Sequence, residues 1–400
     1  MKILFTRFPL ESSFGGAEVQ TLSLMKGLSE RGHAVAFMGS CPILLKKCLT
    51  EGIPTVELQI GPPPVTKWQA LSFFWRKAKM QRQLINTLSA LQATSYSSSP
   101  SLGAEGKLQA IFMLSLSEKL LLTEAAVEKG IPVFWIEHDR VGPWLSKNPW
   151  LPRLLNLSKN VTTIVVSELS KKMYEELGFA NVVAIPNGVD MSRFQALSPA
   201  PLSLQGEGMG VRAGCIARLT PDKGVDLLIE AVKDLPNVTL TIVGKGREEK
   251  YLQKLIETVK NTKPLTMNHQ PTNLVPSVPD LADFYRSLDI LVLPSREHDP
   301  FGMVAAEAMM LGIPVIVTDA CGIAGYLKNG EDAIIVNANS SHALVEGMKQ
   351  LTDAAMRKRI GEAGKETALK KFALPAMVER YEELLTESSL PGGGVARHGG

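Results

Sequence analysis

Two carboxylates with seven residues between them, Asp299 and Glu307, are the side chains that most clearly suggest chemistry in this sequence. The first follows a short apolar run, 290–293, that is typical of a buried strand. Because Asp is a good N-cap and Pro300 suits the first helical position, a helix is predicted to begin there. The N–H groups at a helix start attract anions. The pattern predicts an anion site flanked by acids, which suits a ligand that is part phosphate and part sugar.

The predicted helix sets Glu307 among apolar neighbours. Gly302 would let a ligand approach the backbone closely, and Met303 and Val304 open the apolar run. A carboxylate in apolar surroundings needs a partner that offsets its desolvation, and ribose hydroxyls would serve. Asp299, in contrast, can be explained without a ligand as the cap of this helix.

Two turns after other strand-like runs could hold phosphate. Arg218 and Lys223 flank the first turn, where Arg would act as a fork and Lys as a point charge on one diphosphate. A solvated surface turn is the alternative, because basic side chains are common on surfaces. Gly244 lies in the second turn, which could accept part of a nucleotide or simply connect a strand to a helix.

Two further candidates lie in the first half of the chain. Gly15 and Gly16 follow the first predicted strand and open a helix, so either a ligand or a tight turn without one explains them. They do not complete the G-x-G-x-x-G fingerprint, which disfavours a nicotinamide cofactor. His138 ends a predicted strand, where it could hydrogen-bond a sugar hydroxyl, assist proton transfer or be structural.

The elements that must position these residues alternate between short apolar runs and longer helical patterns, which favours βαβ units and parallel sheets. Strands are predicted at 2–8, 34–38, 55–58, 109–114, 133–136, 162–166 and 182–185, then at 214–217, 239–243, 290–293, 315–318 and 334–336. Helices are predicted at 17–30, 68–91, 117–128, 224–232, 248–259, 282–287, 302–311 and 343–351. Because the series restarts midway, the sequence predicts an α/β fold of two Rossmann-like, doubly wound domains facing a central cleft.

Segments rich in Ser, Pro and Gly cannot build a core, and they set the expected domain limits. An insertion is predicted at about 94–107 within a first domain spanning 1–190. A low-complexity linker at 191–210 leads to a second domain at 211–373, and a disordered tail is expected at 389–400.

Composition narrows the class of protein. A chain of 400 residues with 45% hydrophobic and 21% charged residues is typical of a soluble globular enzyme. A net charge of only +3 argues against a nucleic-acid partner. The four cysteines are scattered, without metal-ligand or disulfide spacing, so a reducing cytoplasm and no bound metal are expected.

The segment 68–82 mixes aromatic with basic residues. Such a segment can lie on an anionic membrane surface. An ordinary core-facing helix with a solvated basic face is the alternative.

Together these motifs resemble those of the retaining GT-B glycosyltransferases of group 1, also called family 4. The resemblance extends to about residue 388 and is most specific in the C-terminal half. The family's paired acids, separated by seven residues, match Asp299 and Glu307. The first acid is usually Glu in the family, and Glu297 is a neighbouring candidate that is two positions out of register.

The resemblance implies roles for the candidate residues. Arg218 and Lys223 would hold the donor diphosphate, and Glu307 would bind the ribose of the nucleotide. The transferred sugar and the distal phosphate would meet Asp299 and the backbone of Phe301, Gly302, Met303 and Val304. In the N-terminal, acceptor-side domain, Gly15 and Gly16 would approach the donor, and His138 matches a histidine near the sugar. A last helix at about 374–388 would return to that domain.

We therefore expect transfer of a sugar, with retention, from a nucleotide-diphosphate-sugar donor to a glycan or lipid-linked acceptor. Bacterial polysaccharide or glycolipid synthesis, in the cytoplasm or at the inner face of the cell membrane, fits this activity, and no cofactor is expected. Two alternatives remain open. A nucleotide-sugar epimerase of the same fold would act without an acceptor, and a non-catalytic nucleotide-sugar or membrane-binding protein would release no nucleoside diphosphate.

Overall fold

The computed structural model describes residues 1–8, 15–93, 107–194, 210–261 and 271–389. The predicted insertion, most of the predicted linker and nearly all of the predicted tail lie outside these residues. The chain divides into two compact units. The first comprises Met1–Gly188 and the segment from Leu374 onwards, and the second comprises Val189–Ala373.

Thirteen strands and fourteen α-helices are present in the described ranges. The strands are β1 Lys2–Arg7, β2 Ala34–Gly39, β3 Thr55–Glu57, β4 Ala110–Met113, β5 Val133–Glu137, β6 Thr162–Val165, β7 Val182–Ala184, β8 Val211–Ile216, β9 Val238–Val243, β10 Thr272–Val275, β11 Ile290–Leu293, β12 Val315–Thr318 and β13 Ile334–Val336. The helices are α1 Gly16–Glu30, α2 Pro42–Thr50, α3 Lys67–Ala93, α4 Leu116–Glu128, α5 Pro143–Ser146, α6 Leu151–Ser158, α7 Glu168–Glu176, α8 Val225–Val232, α9 Glu249–Asn261, α10 Leu281–Arg286, α11 Met303–Met310, α12 Ser341–Gln350, α13 Ala354–Lys371 and α14 Leu374–Ser389.

Each unit is built on one parallel sheet. The first sheet has the order β3-β2-β1-β4-β5-β6-β7, and the second has the order β10-β9-β8-β11-β12-β13. In both sheets the strand order reverses once, between β1 and β4 and between β8 and β11. Ligands of open α/β sheets bind beside the carboxyl ends of the strands at such a reversal. The predicted fold of two Rossmann-like α/β domains is confirmed.

Helices cover both faces of the first sheet. Alternate side chains of each strand point to opposite sides, so they pack into two separate clusters. Leu4 lies in the cluster that α3, α4 and α6 complete. Phe5 and Phe37 lie in the cluster that α1, α2 and α14 complete. Helix α14 packs along α1 and buries Tyr381 and Leu385 in this second cluster.

The second sheet carries α8, α9 and α12 over a core of aliphatic side chains from β8, β9, β11 and β12. Helices α11 and α13 pack against each other, and Gly364 of α13 lies beside Met309 of α11. Burial on both faces holds the strands of this sheet firmly, so the loops at their carboxyl ends begin from fixed positions.

Candidate functional site

The loops after β8, β11 and β12 are tied together at the carboxyl edge of the second sheet. The backbone N–H of Arg296 donates to the Asp222 carbonyl at 2.8 Å, which joins the β11 loop to the β8 loop. The hydroxyl of Thr318 donates to the Ser295 carbonyl at 2.7 Å, which joins the β12 end to the β11 loop. Since β8 and β11 flank the reversal of strand order, this is the edge where a ligand site is expected.

Asp299 and Lys223 meet at this edge. Lys223 Nζ lies 2.7 Å from Asp299 Oδ2, and the Ser295 hydroxyl donates to the same oxygen at 3.2 Å. Both side chains are largely buried. The structure therefore brings the predicted diphosphate lysine and the first predicted acid into one ion pair, which the sequence did not suggest.

The prediction that Asp299 caps a helix beginning at Pro300 is wrong. Helix α11 begins at Met303, and its N-cap is Gly302. Residues 299–301 instead run beside 321–323, with hydrogen bonds from Gly322 N to Asp299 O at 2.8 Å and from Ile323 N to Phe301 O at 2.6 Å. This pairing holds the backbone out of the helix, so tertiary hydrogen bonds override the local capping preference.

Gly302 is required by its backbone conformation, with φ at 102° and ψ at 52°. A Cβ atom there would lie 2.9 Å from Leu293 Cδ2 and 3.2 Å from Ile323 Cγ2. The preceding Phe301 is buried beside the rings of Tyr326 and Phe372. The first turn of α11, which includes Met303 and Val304, is thus anchored from both sides at the sheet edge.

Glu307 is 6% exposed and has two protein partners. The hydroxyl of Tyr285 donates to Glu307 Oε2 at 2.7 Å, and Arg193 Nη1 lies 3.7 Å from Glu307 Oε1. Burial raises the pKa of the Glu307 carboxyl above its ordinary value, while Tyr285 and Arg193 act in the opposite direction. The expected offset for desolvation therefore comes, at least in part, from the protein itself.

Sequence reasoning missed both partners of Glu307. Arg193 lies in a short 3-10 helix, Met191–Phe194, within the segment predicted as linker. Tyr285 lies on α10, where its aromatic ring reads as an ordinary core residue. A buried tyrosine hydroxyl usually finds a hydrogen-bond partner, which is the one signal that could have pointed to Tyr285.

The remaining predicted donor contacts differ in exposure. The side chain of Arg218 is exposed after β8. Gly244 is in contact with the neighbouring loop, because a Cβ atom there would lie 1.9 Å from the Ala217 carbonyl oxygen. Backbone packing alone therefore explains the glycine at 244, whereas Arg218 is available to an anion.

In the first unit, Gly15 serves as the N-cap of α1, and its N–H donates to Glu18 Oε2 at 2.9 Å. Glu18 in turn pairs with Arg7 at the end of β1. Around Gly16 the space is open, since a Cβ atom there would have no neighbour within 4 Å among the described residues. The tight-turn interpretation thus accounts for Gly15, and Gly16 keeps room for a ligand.

His138 follows β5 directly and is half-buried. Burial, and then the positive charges of Arg7 and Lys119, lower the pKa of its imidazole to about 3. Its Nδ1 atom has no hydrogen-bond partner within the described ranges. The ring is therefore neutral at physiological pH and can exchange hydrogen bonds with a hydroxyl group.

A cavity of about 160 Å³ lies at the carboxyl edge of the first sheet, where its strand order reverses. Its polar lining includes Ser115, Asp139 and the pair formed by Lys119 and Glu137, whose Nζ and Oε1 atoms are 2.7 Å apart. Trp144 and several aliphatic side chains complete the lining. An aromatic ring beside hydrogen-bonding groups of both charges suits a hydroxylated ring compound.

Both a family model and individual proteins match the sequence. Residues 209–367 match the family model for glycosyl transferases group 1. An uncharacterized glycosyltransferase of Methanocaldococcus jannaschii, MJ1178, is 33% identical over 174 residues, which are 42% of this chain and 47% of that protein. The phosphatidyl-myo-inositol mannosyltransferase of Mycobacterium leprae is 26% identical over 296 residues, 72% of this chain and 70% of that protein. The chain spans only 24% and 47% of the length of two of the relatives it matches.

Solved structures share the fold over nearly the whole chain. Anabaena Alr3699/HepE, whose crystal structure is in complex with UDP, aligns with a TM-score of 0.76 at 20% identity. The alignment covers 96% of this chain and 100% of that one. At this level of identity the likeness shows the fold alone, which is the two-domain, Rossmann-like fold called GT-B.

Proposed function

We propose that this protein transfers a sugar from a nucleotide-diphosphate sugar to an acceptor hydroxyl. The proposal starts from the sequence match to the group 1 glycosyltransferases. The observation that carries the proposal is the Lys223–Asp299 ion pair at the carboxyl edge of the second sheet, within the matched segment. The buried Glu307, held by Tyr285, follows on α11 in the same segment. The relative named as a phosphatidyl-myo-inositol mannosyltransferase supports a role in bacterial polysaccharide or glycolipid synthesis.

On the donor side, the exposed guanidinium of Arg218 and the Lys223 ammonium would bind the diphosphate. The Lys223 ammonium has three donors, so it can keep its contact with Asp299 while a phosphate oxygen binds. Glu307, oriented by Tyr285, would accept hydrogen bonds from the ribose. Asp299 takes the first acidic role in preference to Glu297, because Glu297 is exposed.

The proposed reaction retains the anomeric configuration by attack from the same face of the sugar. The bond from the anomeric carbon to the donor phosphate oxygen breaks, and the acceptor oxygen forms the new bond to that carbon. The acceptor proton passes to the leaving diphosphate, whose growing charge Arg218 and Lys223 would stabilise. His138, as a neutral ring, would hydrogen-bond a sugar hydroxyl.

The cavity of the first unit is the proposed acceptor site, with Trp144 against the acceptor ring and Ser115 and Asp139 as hydrogen-bond partners. A lipid-linked acceptor would bring the protein to the inner face of the cell membrane. The four cysteines are buried and free, in keeping with a cytoplasmic location.

The test measures nucleoside diphosphate release from a panel of nucleotide sugars, with and without lipid-linked and free glycan acceptors. We expect release that depends on one donor and on an acceptor, unchanged by a metal chelator. Glu307→Gln and Lys223→Ala should each reduce the rate on the order of a hundredfold. Lys349→Ala, on the exposed side of α12, is the matched control.

Other outcomes assign the alternatives. Wild-type rates in both variants contradict the site. Isomerised donor without acceptor identifies an epimerase, and donor binding without release identifies a binding protein. Product stereochemistry, read by nuclear magnetic resonance, separates retention from inversion.

A further inference from the structure

An aromatic face of α3 is exposed in the first unit. Trp68, Leu71 and Trp75 are 81%, 60% and 80% exposed, and Phe74 is exposed beside them. Four of the eight exposed large hydrophobic side chains of the described residues lie in this one short stretch. Scattered exposed hydrophobic residues need no explanation, but a contiguous patch marks an interaction surface. We call these four residues the α3 face.

The opposite side of the helix is firmly fixed in the core. Phe73, Leu84 and Leu88 are fully buried against the first sheet. The indole N–H of Trp150 donates to the Ala70 carbonyl at 3.2 Å, and the ring of Trp150 lies 5.2 Å from that of Phe73. The α3 face is therefore the outer side of a well-packed helix, and its exposure is not a sign of loose packing.

The charged side chains of α3 are all positive. The helix carries five basic residues and no Asp or Glu. Lys67, Lys79 and Arg82 are exposed. At 3.6 residues per turn, Lys79 and Arg82 project within about 40° of Trp68. The exposed side thus combines indole rings with cations along one line.

We propose that the α3 face docks on an anionic lipid bilayer, with α3 lying in the plane of the headgroups. Indole rings sit in the interface between headgroups and acyl chains, while Lys and Arg bind the anionic headgroups. A second copy of the chain fits this face poorly, because a symmetric contact would bring the exposed cations Lys67, Lys79 and Arg82 of one copy close to those of the other. Within the described residues no helix combines the length and apolar character needed to cross a membrane, so the contact is peripheral.

The experiment measures co-sedimentation of the full chain with vesicles of phosphatidylcholine alone and of phosphatidylcholine mixed with phosphatidylglycerol. We expect binding to the mixed vesicles only, weakened by salt. Lys79→Gln with Arg82→Gln should lower the partition coefficient by about tenfold or more, since each surface-held cation contributes about fivefold. Trp68→Ser with Trp75→Ser should abolish most binding.

Matched controls carry the same changes at other exposed positions. Leu49→Ser with Leu369→Ser removes apolar side chains elsewhere, and Lys46→Gln with Lys254→Gln removes two cations; both should bind as the wild type does. No binding to the mixed vesicles, or equal binding by all variants, overturns the proposal. A dimer that becomes monomeric in the tryptophan variant, without vesicle binding by the wild type, would assign the face to protein contact instead. Because neither donor nor acceptor is present, failure here leaves the transferase proposal intact.

Discussion

At the scale of single residues, Glu307 is held in surroundings that oppose its charge. Burial raises the pKa of its carboxyl, so the folded protein accommodates the neutral acid more readily than the carboxylate. The hydrogen bond from Tyr285 and the charge of Arg193 compensate in part. Such a group lowers stability where it serves a ligand, which is common at functional sites.

Replacing Glu307 by Gln should stabilise the protein at neutral pH. A carboxyl with a raised pKa gives its full contribution to stability below its unfolded pKa of about 4.3, and that contribution is lost as the pH rises through the folded value. Since Gln does not titrate, the variant should gain on the order of 1 kcal/mol over wild type between pH 4 and 7. Urea unfolding across this range measures the difference.

Glu257→Gln, on the exposed side of α9, is the control for the change of residue type and should show little difference from wild type. If the Glu307→Gln variant instead becomes less stable relative to wild type as the pH rises, the contacts with Tyr285 and Arg193 outweigh the effect of burial.

The sequence alone singled out Asp299 and Glu307 but not their contacts. Glu307 stands out because its neighbours along the helix are apolar, a local signal. Its partner Tyr285 lies 22 positions away, and Lys223 lies 76 positions from Asp299. Contacts at that separation depend on which strands are neighbours in the sheet. Local sequence patterns do not determine that strand order.

At the scale of elements, the start of α11 depends on Gly302. The positive φ angle and the nearby Leu293 and Ile323 side chains leave no room for a larger residue. Gly302→Ala should lower the free energy of unfolding by about 2–4 kcal/mol, from backbone strain and overpacking together. Donor affinity should fall with it, because residues 301–304 would move.

Gly330→Ala is the matched control, since Gly330 also has a positive φ of 76° but open space around its Cα. It carries the strain without the crowding, so it should cost about 1 kcal/mol or slightly more. Equal losses in the two variants, measured by chemical denaturation, would mean that packing does not define the helix start.

Elements with strong periodic signals were predicted well and weakly patterned ones were not. The strands β11, β12 and β13 have the predicted limits, because continuous aliphatic runs mark buried parallel strands. Strand β10 was missed, since its first two residues, Thr272 and Asn273, are polar and leave only a very short aliphatic run. Helices α2, α6 and α7 were also missed, because each is short and has too few turns to show a helical repeat of apolar residues.

At the scale of the whole molecule, the restart of the strand–helix series predicted two domains, and the family resemblance implied a last helix, at about 374–388, that returns to the first of them. The chain does not divide at a single point. Leu374 and the residues after it belong to the unit formed by Met1–Gly188. The hydrogen bonds between Gln20 and the backbone of Gly188, at 2.9 and 3.1 Å, hold the end of that segment on α1.

The first unit should therefore fail to fold without α14. Met377, Val378, Tyr381 and Leu385 are each almost fully buried in its core. Burying such side chains contributes about 1.5–3 kcal/mol each, so their loss approaches the whole stability of a typical domain. A chain ending at residue 373 should aggregate or show no cooperative transition for the first unit.

The second unit, Val189–Ala373, remains whole in that truncation and should keep its own transition. A chain ending at Ser389 retains all of α14 and serves as the control. Two intact calorimetric transitions in the shorter chain would show that α14 is dispensable to the core it completes.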